Sequence, residues 1–236
     1  LPHSVFLRFP SKPQNRIIGL PSYIDKTAGI KWIASFPNNV KKGIDRASAA
    51  VILNSLNTGR PYAIIEGSII SAKRTAASAA LAATILSKNK KDVKDIAFIG
   101  CGLINFEIFK FVLSQFRSLE SINLFDINRK RARLFSDKVR TISDVKIRIN
   151  DQKEESFESS KIISFATTAS MPHINDESIL PKESIILHIS LRDFGPDVIK
   201  NGINVVDDIE HINRENTSIH LSSKKYGNVH FITAAL

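Results

Sequence analysis

The sequence predicts an α/β protein in two parts, a Rossmann-type parallel-sheet domain preceded by a mixed α+β domain. Three observations carry the prediction. From residue 96 onward, apolar runs of strand length alternate with helical segments, the pattern of a parallel sheet covered on both faces. The first of these runs ends in Gly100-Cys101-Gly102 and opens a helix. Before residue 67, the chain reads instead as short strands rich in Val, Ile and aromatic residues.

In chain order, strands are expected at residues 5–9, 16–24 and 30–36, where Pro, Lys and Asn clusters separate β-branched and aromatic runs. Residues 49–56 and 62–66 form a hairpin around Asn57-Thr58-Gly59-Arg60, a loop whose Asn and Gly tolerate positive φ. A helix is expected to start at Ser68, a good N-cap, and to cover residues 69–87, which are rich in Ala and Leu and free of Gly and Pro. Ile70, Arg74 and Ser78 then share one line, with Arg74 near the helix start, where backbone amides attract an anion. The polar stretch 87–95, with Lys88, Lys90, Lys91 and Lys94, marks a domain boundary at residue 90. Beyond it, strands are expected at 96–99, 121–125, 145–149, 162–166, 184–189 and 203–206. Helices are expected at 104–115 and 129–141, with shorter pieces near Glu154, Asp176 and Pro196.

Composition bounds the function. The 236 residues are 43% hydrophobic and 24% charged, which excludes a fibrous or disordered chain. No apolar run approaches the ~18 residues of a membrane span, and the amino end shows no basic stretch followed by a long apolar core. The single cysteine, Cys101, excludes an intrachain disulfide and fits a reducing cytoplasm. The net charge of +10 is scattered among Ile, Asn and Ser without a basic stripe interleaved with aromatics. Neither nucleic acid nor a membrane surface is therefore expected as a partner, while anionic small molecules fit.

Gly100 and Gly102 supply the first two positions of a G-x-G-x-x-G dinucleotide fingerprint, with Leu103 and Ile104 opening the helix and Asn105 in place of the third glycine. The next strand ends at Asp126, at about the ~20-residue spacing of a carboxylate that binds ribose hydroxyls. That acid favours NAD over NADP, because a carboxylate repels a 2′-phosphate. Arg129, Lys130, Arg131 and Arg133 lie close by and read as the solvated face of the following helix. Cys101 reads as a small apolar filler, since no His or Asn partner marks a nucleophile. His3, His173, His188, His211, His220 and His230 show no ligand spacing, so no metal is expected and ordinary polar or core roles cover them.

Hydride transfer also needs cations to fix a substrate and a group that moves protons. Lys31 is a charge inside an apolar strand and reads equally as a ligand or as an outward-facing residue on an edge strand. Arg8 is placed similarly. Arg74 stands in an alanine-rich helix, where an unpaired buried cation is costly, or on its solvated side. Asp193 follows the end of a parallel strand, where open α/β sheets bind ligands, or is a simple helix cap.

Together these residues resemble the ornithine cyclodeaminase and mu-crystallin family. The likeness runs through Gly29-Ile30-Lys31-Trp32-Ile33, residues 62–68, Arg74-Thr75-Ala76-Ala77, Gly100-Cys101-Gly102, Asp126, Thr167-Thr168 and the segment holding Asp193. Within the family, Gly100-Cys101-Gly102-Leu103-Ile104, Val205-Val206-Asp207-Asp208 and Asn213-Arg214-Glu215 resemble the dehydrogenases of 2,3-diaminopropionate biosynthesis. The resemblance implies a substrate-binding and dimerisation domain over 1–90, an NAD-binding domain over 91–212, and a return to the first domain from 213–236. It implies an active site between the domains and a homodimer. Family members carry further chain at both ends, so this sequence starts and stops within the family pattern. Carried over, Arg8, Lys31 and Arg74 would hold the carboxylates of an amino-acid substrate. Asp193 would move a proton or activate water, with Lys31 also in the catalytic set, and Thr167 and Thr168 would lie near the nicotinamide. The implied reaction is NAD-dependent oxidation of N-(2-amino-2-carboxyethyl)-L-glutamate to 2-oxoglutarate and 2,3-diaminopropionate, for a siderophore or peptide antibiotic. The alternatives are ornithine cyclodeamination, cyclic imine reduction or a non-catalytic nucleotide-binding role.

Overall fold

The computed structural model describes residues 4–212 and 216–235, so Asn213-Arg214-Glu215 and His3 lie outside the described residues. The chain divides into two compact units, one ending at Arg74 and one starting at Thr75. Among the described residues the strands form two five-stranded sheets and one two-stranded pair.

The first unit is an antiparallel meander of β1 (Val5–Arg8), β2 (Arg16–Ile24), β3 (Thr27–Ser35), β4 (Ala47–Asn54) and β5 (Pro61–Glu66), each strand pairing with the next. β3 begins three residues before its expected start at 30, because Asp25, at φ 49, turns the chain tightly enough to pair Ile24 with Thr27. In the loop between β4 and β5 Gly59 takes the positive φ of 70, and the Asn54 side chain donates to its carbonyl at 2.8 Å.

Helix α1 (Ser68–Leu86) follows. Ser68 lies inside it rather than capping it: the Ser68 hydroxyl accepts from the Ala49 amide at 2.9 Å, while the Glu66 carboxylate accepts from the Ser68 amide at 2.6 Å. Hydrogen bonds from Ser68, and further on from the Ile69 amide, hold the Glu66 carboxyl below its ordinary range. The unit division falls within α1 and not at residue 90, because Ala76, Ala79, Ala80 and Ala83 are buried in the core that the second unit builds around Phe98, Phe109 and Phe135. By length and composition alone α1 is apolar enough to cross a membrane. One side of it, Ala76, Ala79, Ala80 and Ala83, is buried in the core of the second unit, while Ile69, Ile70, Leu81 and Ile85 are exposed.

The second unit holds a parallel sheet of β6 (Asp95–Ile99), β7 (Ser121–Phe125), β8 (Lys146–Ile149), β9 (Ile162–Phe165) and β10 (Ile185–His188), in spatial order β10-β9-β6-β7-β8. Helices α2 (Leu103–Gln115) and α3 (Arg129–Arg140) are crossovers. Ile96 and Phe98 point into the core shared with α1, α2 and α3. Ala97 and Ile99 point into a second core with Phe165, Phe194 and Ile199. Both faces are covered, and the strand order reverses between β6 and β9.

Helix α4 (Pro196–Asn201) leads to β11 (Asn204–Val206), which was expected as a further strand of this sheet and is not. It follows a different partner: after α5 (Ile209–Ile212) and α6 (Ser218–Tyr226), β12 (Ile232–Ala235) pairs with it in parallel. Asn204 fixes this arrangement by donating to the carbonyls of Ile199 and Phe231 at 2.6 and 3.0 Å.

Candidate functional site

The turn after β6 is built for close approach. Gly100 has φ 89, and a Cβ there would meet the Ala166 carbonyl oxygen, at the end of β9, at 2.6 Å. Gly102 is the N-cap of α2 and has no side chain to bond the first-turn amides, which leaves the amides around Leu103 and Ile104 to an anion. Asn105, the departure from the three-glycine pattern, is fully buried. Its amide donates to the carbonyls of Ile99 and Gly100 at 3.0 and 2.7 Å and accepts from the Ser164 hydroxyl at 2.7 Å. It therefore ties β6 to β9 where a glycine would merely leave room.

Asp126 is oriented by backbone donors: Cys101 N–H on Oδ2 and Asn128 N–H on Oδ1, both at 2.8 Å. Arg131, read from sequence as part of a solvated face, lies 3.7 Å from Asp126 Oδ2, and its guanidinium end stands 3.4 Å from where a Gly102 Cβ would be. Arg129 pairs with Asp151. Cys101 is buried, and burial followed by the Asp126 charge pushes its thiol well above the ordinary range, which agrees with a filler role.

Asp193 is fully buried and is no helix cap, since Gly195 holds that position on α4. Its Oδ1 accepts from the Thr167 hydroxyl at 2.5 Å and faces His173 Nε2 at 3.0 Å. Its Oδ2 accepts from the Ser190 hydroxyl and faces His188 Nε2 at 3.1 Å. Burial raises the proton affinity of this carboxyl, but the hydrogen bonds of His173 and His188, the charge of His188 and the bond from Ser190 outweigh it and hold the group well below the usual carboxylate range. The loop is fixed by Leu191 at φ 65, whose carbonyl accepts from Ser218 N at 2.7 Å. Thr168 is exposed.

Sequence reasoning missed His173, His188 and Ser190. His188 carried a weak signal, as a polar residue at the end of an apolar strand five residues before Asp193. His173 carried none, because a parallel bridge between Ile174 and Phe194 brings it to the site. Among the described residues no group of three or more His, Cys, Asp or Glu side chains is arranged to hold a metal.

In the first unit Lys31 lies on β3, the central strand of the sheet, which removes the edge-strand alternative. Its ammonium donates to the Ser71 hydroxyl of α1 at 3.4 Å. Burial, and then the charge of Arg74, lowers its proton affinity, so the two cations feel one another. Arg8 pairs in register with Arg16, and Arg16 with Ser35, which puts Arg8 on the sheet face of Lys31 but on an exposed edge strand, four residues along β3. Lys31 and Arg74 are brought together, while Arg8 stands on the exposed edge strand β1.

The description of one family, ornithine cyclodeaminase/mu-crystallin, matches residues 4–201. The chain belongs to that family. Among family relatives, the N-((2S)-2-amino-2-carboxyethyl)-L-glutamate dehydrogenase of Staphylococcus aureus is 34% identical over 87% of this chain. The ornithine cyclodeaminase of Agrobacterium fabrum is 31% identical over 51% of it, covering 34% of that enzyme. The chain spans 62% of the Staphylococcus aureus enzyme. The structure of the Δ1-pyrroline-2-carboxylate reductase of Thermococcus litoralis, in complex with NADH and L-proline, superposes with a TM-score of 0.88 at 26% identity, over 99% of this chain and 73% of that one. An archaeal alanine dehydrogenase dimer with bound NAD has the same fold, with a TM-score of 0.83 at 22% identity, over 99% of this chain and 72% of that one.

Proposed function

We propose that this family member is an NAD-dependent dehydrogenase that oxidises N-(2-amino-2-carboxyethyl)-L-glutamate and releases 2-oxoglutarate and L-2,3-diaminopropionate, a building block for a siderophore or peptide antibiotic. The observation that carries the substrate is the 34% identity, over 87% of the chain, to the Staphylococcus aureus dehydrogenase named for it.

The cradle fits the dinucleotide. Gly102 leaves α2 uncapped for a pyrophosphate, with the amides of Leu103 and Ile104 as donors, and Gly100 keeps the turn narrow. Asp126, already oriented by two amides, would take the ribose hydroxyls, which favours NAD over NADP. Thr167 and Thr168 would face the nicotinamide, and NAD supplies the hydride acceptor when bound. Lys31 and Arg74 would hold substrate carboxylates, because an anion relieves the repulsion between two neighbouring cations. Arg8 would contribute a further cation. The Asp193 centre would move the protons.

The same proposal includes a cytoplasmic homodimer. Ile69, Ile70, Leu81 and Ile85 of α1 are all exposed, as is Ile64 of β5, and a second copy would cover them.

The test is NADH formation by the full-length protein with NAD and the amine, with 2-oxoglutarate measured as product, beside an assay for proline and ammonia from ornithine. Turnover of the amine with 2-oxoglutarate release is expected. Turnover of ornithine alone would move the protein to the cyclodeaminases, and NAD binding without turnover would make it a binding protein.

A further inference from the structure

A carboxylate enclosed as Asp193 is cannot readily trade protons with a substrate. All four of its side-chain partners, Thr167, His173, His188 and Ser190, would have to give way before a fifth group could reach an oxygen. Its two imidazoles are not equivalent. The His188 side chain is 17% exposed, its ring is edge-on to Phe194 at 4.6 Å between centroids, and its Nε2 lies within 3.2 Å of the Asp193 amide as well as of Oδ2. Its Nε2 is shared between two atoms of Asp193, and the ring is the more enclosed of the two.

The His173 side chain is 32% exposed and meets Asp193 through Nε2, which leaves Nδ1 as the ring atom able to take a second partner. Its backbone is anchored on both sides: His173 N donates to the Asp193 carbonyl at 2.9 Å, and Lys153 Nζ donates to the His173 carbonyl at 3.1 Å. A fixed main chain, one ring nitrogen on a buried carboxylate and the other free describe an oriented acid–base group.

We propose that His173 exchanges the proton with the reacting amine through Nδ1, and that Asp193 is a positioning residue that acts through it by accepting the Nε2–H. The proposal rests on the oxidation proposed above. In that reaction the substrate C–H bond breaks with its electron pair passing to NAD, the N–H bond breaks with its proton passing to Nδ1, and the C=N bond forms. Water then adds its oxygen to that carbon and the C–N bond breaks. Both water protons end on the departing nitrogen, and His173 mediates their transfer. One proton returns from His173 to solvent per turnover, matching one NADH.

The test uses the full-length protein with NAD and the amine. His173→Ala should lower kcat by about 10²-fold or more, with KM and NADH affinity within about threefold of wild type. Added imidazole should restore the rate in proportion to its concentration. His173→Gln, whose amide keeps a donor for Asp193, should lose as much activity as the alanine variant, and it replaces that variant if alanine does not fold. Asp193→Asn should lose activity that imidazole does not restore. A His173→Gln enzyme within about threefold of wild type, or an alanine variant insensitive to imidazole, would overturn the proposal alone. A wild type that oxidises no amine would overturn it together with the reading beneath it.

Discussion

At the scale of single residues, charge and enclosure oppose one another at Asp193, and enclosure loses. Its carboxyl is held below the usual range although burial alone would raise it. A group whose folded-state pKa is depressed contributes stability that is present above its unfolded pKa, near 3.8, and is lost as pH falls through and below that value. Asp193→Asn should therefore be less stable than wild type by about 2 kcal/mol at pH 7, and the gap should start to shrink below about pH 4, by about 1.4 kcal/mol per pH unit. Urea unfolding at both pH values checks it; a gap independent of pH would show that the hydrogen-bond geometry and not the charge matters. Asp193 itself was legible in the sequence because it follows an apolar strand. His188, five residues away, left only a weak signal, and His173 left none, since a hydrogen bond across 20 residues makes no local pattern. Asn105 was legible only as a departure from a glycine pattern; its buried bonds depend on β9, which the local sequence does not contain.

At the scale of elements, the strand-turn-helix unit of β6 and α2 was legible from glycine spacing, and its two glycines have separable jobs. Gly100→Ala places a Cβ against a main-chain oxygen at 2.6 Å and forces an L-residue to φ 89. It should destabilise by about 2–4 kcal/mol in urea unfolding. Gly102→Ala meets nothing tighter than the flexible end of Arg131 at 3.4 Å. It should change stability by about 0.5 kcal/mol or less while weakening NADH, followed by fluorescence titration, by about tenfold or more. Equal losses of stability in the two variants would refute this division. The edge strand β8 was read correctly because its Ile residues alternate with Lys146 and Arg148, and most of the parallel strands because they are apolar runs bounded by turn residues. β11 was misassigned for the same reason: three residues of that kind do not say which partner they will find. The end of the first unit was misplaced because a lysine cluster marks a surface, whereas the burial of alanines in α1 decides which core the helix joins.

At the scale of the whole molecule, two units with different chain logic are joined through one helix. Cys101 gives a probe of the second. Its thiol is buried and its ionisation is disfavoured, first by burial and then by Asp126. Labelling by a disulfide reagent at pH 8 should therefore reach less than about a tenth of the thiol in the time that fully labels unfolded protein. Urea should accelerate it along with the loss of the fold, and rapid labelling of the native protein would place the thiol at the surface instead. The pairing orders described for the two sheets also set their timing. In the meander every strand finds its partner next along the chain, so closing each loop costs little entropy and the sheet can assemble in rapid local steps. In the parallel sheet β6 cannot complete its ladder until β9 arrives from beyond two other strands and their helices, so the strand-order reversal beside the Gly100 turn is among the last features that a refolding chain acquires.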